Sequence, residues 1–266
     1  MDVVVYLPST HAHFGTFDEV AATVRYGLKE LAATGYALPD RTILLGAHLL
    51  PWTVQADARH ILYNFEQLDS PLLSASALDM YRRHEVWDYS ASNIVWLAGH
   101  GIGARHVPLG FTPELQRIQK APTQDIDVLF YGLVNDRRRR VLDGLRAAGL
   151  VVQEVVGVYG AMRDHLIARS KVVLNMHFYD AKVFEMVRCS YLFANEVCVV
   201  SEDSVDVPPE LTHAVPLTPY SQLVDVCTRL ARDPDQNTLW AASAHQAFRM
   251  LDEVAILRKA LDGPRP

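Results

Sequence analysis

Several things are scarce in this chain of 266 residues, and each scarcity removes a class of function. There are only three cysteines, Cys189, Cys198 and Cys227, each inside an apolar segment. They lack the close paired spacing of a zinc site or a redox motif, and they read as buried reduced thiols. No stretch approaches the roughly 20 consecutive apolar residues of a membrane span. The opening MDVVVYLPSTHAHFG carries neither a basic leader nor a long apolar run, so the expected location is the cytoplasm. Positive charge is in deficit: the formal net charge is -6, which provides no global basic field for DNA or RNA and argues against a nucleic-acid partner. Neither internal repeats nor low-complexity segments are found, which sets solenoid and disordered readings aside.

What is present is an alternation of short β-branched runs with longer amphipathic segments, the pattern of βαβ units and a mainly parallel sheet. The expected fold class is α/β. Strands are expected at 2–7, 41–47, 60–65, 86–90 and 105–111, with helices near 17–34, 71–84 and 91–100. The polar segment 112–125, TPELQRIQKAPTQD, contains two prolines and separates this series from a second one. The second series has strands at 126–132, 151–158, 171–177, 197–202 and 214–217. Its helices are expected at 136–148, 162–170 and 182–195, and from about Tyr220 and Gln236. The organisation expected is therefore an N-terminal Rossmann-like domain over 1–111, a linker over 112–125 and a C-terminal Rossmann-like domain over 126–262. The last helix is free to pack back on the first domain. Two such domains facing across a cleft would gather ligands at the carboxyl ends of their strands.

In DVLFYGLVNDRRRR, 127–140, an apolar strand ends in a glycine, and a polar loop leads into a helix that begins among four arginines. The segment holds neither the dinucleotide nor the P-loop glycine signature. Unpaired N–H groups make a helix N-terminus partly positive, so cations there are unfavourable unless an anion joins them. A diphosphate is such an anion: Gly132 would let the backbone approach and Arg138, with Arg139 close behind, would close a fork on it. A solvated basic face capped by Asn135 or Asp136 explains the same residues without a ligand. Farther on, KVVLNMHFYD ends a buried strand in Asn175 and His177, and KVFEMVRCSYLFAN, 182–195, reads as one apolar helix with Glu185 and Arg188 in its first turns. An i, i+3 ion pair is the simplest account of those two residues. Such a pair gains little on a helix packed on both sides, whereas at the rim of a pocket the acid can accept hydrogen bonds from sugar hydroxyls.

These segments in order, DVLFYG with N-x-R-R, VYG before a helix, KVVLN-x-H, FE-x-x-R and a strand closing in VVSE, together resemble the nucleotide-sugar-binding half of GT-B glycosyltransferases. The likeness is to the bacterial group in which an FE motif opens the donor-site helix. HVPLGF before the second domain and the layout of the first half extend it over roughly 2–260. The resemblance implies that Gly132 and the loop from Asn135 to Arg139, with Arg138 foremost, face a diphosphate, that Tyr159 and Gly160 lie near the nucleobase, and that Glu185 contacts the sugar or ribose. His177 and Arg188 join the same donor site. Two departures stand out: relatives often carry a second glutamate eight positions after the first, where this chain has Phe193, and a glycine before the next strand, where it has Asn195 and Glu196.

Glycosyl transfer needs a base for the acceptor's proton and stabilisation of the leaving diphosphate. For the base, VVYLPSTHAHFGTFDEV places His11 and His13 in the loop after the first strand, and histidine titrates near neutral pH. Glu66 and Asp88 are rivals, each following an apolar strand and flanked by aromatics. The D-x-D at 125–127 precedes a strand, far from its carboxyl end, so no metal is expected. The expectation is a metal-independent glycosyltransferase with no cofactor, taking a nucleotide-diphosphate sugar as co-substrate and an unidentified acceptor. A nucleotide-sugar epimerase and a non-catalytic nucleotide-sugar-binding module are the alternatives.

Overall fold

The computed structural model describes residues 1–68, 74–179 and 182–264. The chain divides into two compact units, Met1–Glu114 with Leu251–Pro266, and Leu115–Met250. Each unit carries a five-stranded, all-parallel sheet.

In unit 1 the strands are β1 Asp2–Val5, β2 Thr42–Leu45, β3 His60–Asn64, β4 Glu85–Asp88 and β5 Ala104–His106, paired in that order. The helices are α1 Asp18–Ala33, α2 Ala75–Arg82 and α3 Ala91–Gly99. Because alternate residues of a strand point to opposite faces, Leu44, Leu62 and Val86 share one face, where they pack with Met80, Tyr81 and Leu97. The expected strand over 105–111 ends at His106: Pro108 has no N–H to pair, and the Val107 N–H donates instead to the Asp88 carbonyl at 2.8 Å. The helix expected from 71 begins at Ala75, capped by Ser74, whose hydroxyl accepts the Ala77 N–H. Residues 71–73 of that expectation lie outside the described residues.

The chain re-enters unit 1 at its C-terminal end. The Phe111 N–H donates to the Leu251 carbonyl at 2.6 Å, and Asp252 caps a final helix, Glu253–Asp262, by accepting from the Val254 and Ala255 N–H groups. Gly27 lets that helix lie against α1, since a Cβ there would stand 2.6 Å from Leu257 Cδ1.

Unit 2 contains β6 Ile126–Tyr131, α4 Asp136–Ala147, β7 Val152–Val155, α5 Gly160–Ala168, β8 Ser170–Asn175, α6 Met186–Ala194, β9 Val199–Glu202, β10 Leu217–Thr218, α7 Leu223–Arg232 and α8 Pro234–Phe248. Its strand order is β10-β9-β8-β6-β7. Val128, Phe130, Val172, Leu174 and Val200 of the sheet pack with Leu142, Leu145, Leu223 and Cys227 of the helices. All three cysteines are buried free thiols, and burial pushes Cys198 up to about 12. Such thiols are inert packing groups. The 115–118 segment is fastened to this unit by Asn195, whose Oδ1 accepts the Arg117 and Ile118 N–H groups at 2.7 Å each, while its Nδ2 donates to the Leu115 carbonyl at 2.7 Å.

The helix expected from 182 begins four residues later. Val183 bridges Val205, the Phe184 N–H donates to the Val205 carbonyl, and Lys182 has φ +51°. Pairing with a distant segment thus wins over local helix preference. Among the described residues, no helix is long and apolar enough to cross a membrane.

Candidate functional site

In unit 2 the strand order changes direction beside β6, with β7 on one side and β8 on the other. In an open parallel sheet, ligands bind outside the carboxyl ends of the strands at such a switch point. Gly132 follows β6 there, Asn175 ends β8, and His177 lies two residues beyond it. Gly132 has φ +140°, a conformation L-residues rarely adopt, and a Cβ on it would sit 3.1 Å from Arg188 Nη2 and 3.7 Å from Arg138 Nη1.

Two guanidinium groups and one carboxylate meet beside this glycine. Glu185, at the N-cap of α6, takes Arg138 Nη2 on one oxygen at 3.3 Å and Arg188 Nη1 on the other at 2.8 Å. Arg188 Nη1 also donates to Asn175 Oδ1 at 2.7 Å. The ion pair expected from sequence is therefore formed, with Arg138 as a third member. Arg138 is 3% exposed and directs its donors into the protein: Nη1 to the Leu133 carbonyl at 2.8 Å, Nε to the His177 carbonyl at 3.3 Å and Nη2 to the Met176 carbonyl. Burial draws its guanidinium down to about 10 against the opposing pull of Glu185, which leaves it charged at neutral pH. It is a strut tying the loops after β6 and β8 together.

The start of α4 explains which arginines turn inward. Asn135 caps the helix by accepting the Arg138 N–H at 3.0 Å. Successive residues then step by about 100°. Arg137 forms a fork on Glu202, with Nη1 to Oε2 at 2.7 Å, and its guanidinium lies 4.0 Å from the centre of the Tyr220 ring. Arg139, expected beside Arg138, points away instead: it forks on Glu154 with both bonds at 2.7 Å, in a partly exposed cluster with Asp143 and Arg146. That is the solvated basic face, and it begins one residue after the strut.

Glu202 is 1% exposed and also accepts the His177 N–H at 3.2 Å. Burial raises its carboxyl, but the Arg137 fork and the His177 amide outweigh burial and hold it below its ordinary value. His177 Nε2 faces the Asp203 carbonyl at 3.1 Å and the Ser204 hydroxyl at 2.9 Å. Nδ1 is buried with no hydrogen-bond partner, and burial lowers the ring's pKa. Tyr159 is the N-cap of α5 in the loop after β7, and Gly160 opens that helix at φ +58°. Phe193 is fully buried against Phe184 and Phe248, so the place of a second acid in relatives is here a core position.

In unit 1 the carboxyl ends of β1, β2 and β3 carry His11 and His13, His48, and Glu66 in turn. The His13 N–H donates to His11 Nδ1 at 3.2 Å and the two rings lie 5.6 Å apart. Burial and then His11 lower the His13 pKa. His48 stands in the short turn after β2, where Gly46 at φ +77° passes so close to Phe17 that a Cβ would meet its ring at 2.8 Å. Its Nε2 is 3.9 Å from Glu66 Oε2, and burial pulls the imidazole down to about 4, which makes it neutral at pH 7. Asp88, expected as a rival base, is 0% exposed and accepts from Asn64 Nδ2 at 2.6 Å, the Ser90 N–H at 2.8 Å and Asn93 Nδ2 at 3.0 Å. It is a buried hub rather than a group open to an acceptor.

Sequence reasoning took Arg137 as part of the 135–139 loop without its Glu202 partner, and missed Glu202, Asn175 and His48 as members of these clusters. The signal for these three was available: each is a polar residue at or just beyond the carboxyl end of an apolar strand. In the D-x-D segment, Asp125 pairs with Arg169, and Asp127 pairs with Lys171 at 2.7 Å. Among the described residues, no group of three or more His, Cys, Asp or Glu is placed to hold a metal ion.

No family model matches the chain. It is 31% identical over 174 residues to protein L140 of Acanthamoeba polyphaga mimivirus, covering 62% of this chain and 57% of that one. To protein L138 of the same virus it is 34% identical over 125 residues, covering 44% of this chain and 14% of the relative. The chain thus corresponds to only part of each. These relatives are viral, and the bacterial origin implied by the resemblance finds no support in them. Among solved structures, it is similar to Anabaena HepE in complex with UDP and glucose, with TM-score 0.61, 14% identity, 93% of this chain and 82% of that chain covered. It is similar to TarM, with TM-score 0.60, 12% identity and coverage of 91% and 57%. The DNA-modifying enzyme β-glucosyltransferase follows with TM-score 0.59, 10% identity and coverage of 98% and 99%. The fold is that of the GT-B glycosyltransferases.

Proposed function

We propose that the protein is a glycosyltransferase that moves a sugar from a nucleoside-diphosphate donor held by unit 2 to an acceptor activated by unit 1. The observation that carries this reading is the cluster at the β6–β8 switch point. Arg188 is fixed through Nη1 by Glu185 and Asn175, while Nη2 lies over the bare backbone of Gly132. A diphosphate laid along Gly132 meets that guanidinium, which offsets the charge that builds on the leaving group. Glu185 beside it is placed to accept a sugar or ribose hydroxyl. Tyr159 and Gly160, in the adjacent loop, take the nucleobase. With cationic side chains performing the neutralisation, the transfer runs without a divalent metal and without a cofactor.

Several fold neighbours were solved with UDP or uridine diphosphoglucose, so uridine donors come first. One neighbour is a DNA-modifying β-glucosyltransferase and another an α-glucosyltransferase in complex with UDP and DNA, but we do not carry DNA over as an acceptor. The net charge is -6, and Asp and Glu outnumber Lys and Arg in unit 1, which repels a polyanion.

Calorimetric titration with UDP and UDP-glucose, with and without EDTA, tests the reading. Saturable binding that EDTA leaves unchanged and that Glu185→Ala weakens by tenfold or more is expected. Absence of any nucleoside-diphosphate binding to the wild-type chain, by heat or by a shift in melting temperature, would overturn it.

A further inference from the structure

The hydrogen bonds of unit 1 converge on one residue. Glu66 lies two positions beyond β3, with 18% of its side chain exposed. Its carbonyl accepts from Asn64 Nδ2 at 2.9 Å and from Asn93 Nδ2 at 3.0 Å. Its own N–H donates to Asn64 Oδ1 at 3.2 Å, and its Oε1 accepts the Gln67 N–H at 3.2 Å. Both asparagine amides are oriented from behind by the Asp88 carboxylate, and Asn64 Oδ1 also receives the Tyr81 hydroxyl at 2.8 Å. A buried carboxylate is expensive unless it is fully hydrogen bonded. Here it fixes two amide planes that both donate to the Glu66 carbonyl. On its other side the carboxylate of Glu66 faces the buried, neutral imidazole of His48.

We infer that Glu66 takes the acceptor's proton, and that Asp88, Asn64, Asn93 and His48 are the positioning residues that hold it for that step. The inference rests on the glycosyltransferase reading and selects among its candidate bases. The acceptor O–H or N–H bond breaks and its proton passes to a carboxylate oxygen of Glu66. The freed electron pair forms the new bond to the anomeric carbon, and the bond from that carbon to the diphosphate breaks, its electron pair leaving with the nucleoside diphosphate. His11 and His13 pack on one another, and Asp88 is enclosed. Glu66 alone among the candidates is both partly exposed and held from two directions. The architecture is that of a base whose heavy atoms are fixed before substrate arrives, which is where much of the benefit of a positioned acid–base group originates.

The test is release of UDP from UDP-glucose with water as acceptor, measured on the full chain for Glu66→Gln, Asn93→Ala and the double variant. Glu66→Gln is expected to lose about 100-fold in kcat with the donor KM unchanged, and Asn93→Ala about tenfold. In the double variant Asn93→Ala should add nothing, because its effect passes through the carboxylate already removed. An additive loss would assign Asn93 to folding alone and overturn the positioning role. His48→Gln should move the acidic limb of the pH–rate profile, and an unchanged limb would remove His48 from the assembly. If Glu66→Gln keeps kcat within about twofold of wild type while Glu185→Ala abolishes turnover, the inference fails and the glycosyltransferase reading stands. If the wild-type chain neither binds UDP nor releases it from UDP-glucose, both fall together.

Discussion

The two clusters solve opposite electrostatic problems. In unit 2, Arg137, Arg138 and Arg188 are matched against Glu185 and Glu202. In unit 1 the neighbours of Glu66 include the amides of Asn64 and Asn93, with the Asp88 carboxylate one step behind them, and the imidazole of His48, which burial holds neutral. A site that must attract and release an anion benefits from standing charge. One that must accept a proton benefits from neutral neighbours that leave the proton's destination unambiguous. The same distinction extends into the core of unit 1, where Glu253 is 0% exposed, accepts the Gly110 N–H at 2.7 Å and is pushed by burial up to about 8.

The sharpest break in this comparison comes from removing a charge from unit 2. Glu202→Ala strips the Arg137 fork and leaves the His177 amide unpaired, and should cost about 3–5 kcal/mol of stability, read as a lower denaturant midpoint. Next come the two neutral-held groups of unit 1, which should give pH slopes of opposite sign. The unfolded chain loses the Glu253 proton above the ordinary glutamate value of 4.5, whereas the folded chain keeps it to about 8. Stability should therefore fall by on the order of a few kcal/mol as pH rises across that window, and Glu253→Gln should flatten the slope. For His48 the unfolded chain gains a proton below 6.5 and the folded chain only near 4. Stability should drop as pH falls between those values, and His48→Gln should remove that component from acid denaturation curves.

Arg188→Ala is expected to weaken UDP binding by about tenfold to a hundredfold in calorimetry, the worth of about 1.5–3 kcal/mol for a charge-assisted contact. Smallest of all, Arg139→Ala should change stability by less than about 1 kcal/mol and leave UDP affinity untouched, since its ion pairs are partly exposed. A loss of donor affinity in that variant as large as in Arg188→Ala would erase the boundary between strut and solvated face drawn within α4.

Much of this was legible before any coordinates. The alternation of strand and helix, the glycine ending β6, the asparagine cap of α4 and the Glu185–Arg188 pair are all written within a few residues of chain. His48 and Glu202 carry only the weak local mark of a polar residue at a strand's carboxyl end: their roles come from Glu66 and from Arg137, which lies 65 residues from its partner. The helix expected from 182 starts at Met186 for the same reason, since residues 183 and 184 are claimed by Val205 across a gap the local pattern does not span.

By itself the sequence determined the elements, their caps and the polar residues at the strand ends, because propensity and periodicity act over one or two turns of helix or a single strand. Only the tertiary structure decided the order of the strands, which of four consecutive arginines turns inward, and which acid is an enclosed hub and which stays partly exposed. It also decided which titratable groups are neutral. These follow from burial and from contacts between distant segments, and desolvation is a property of the packed volume rather than of any stretch of chain.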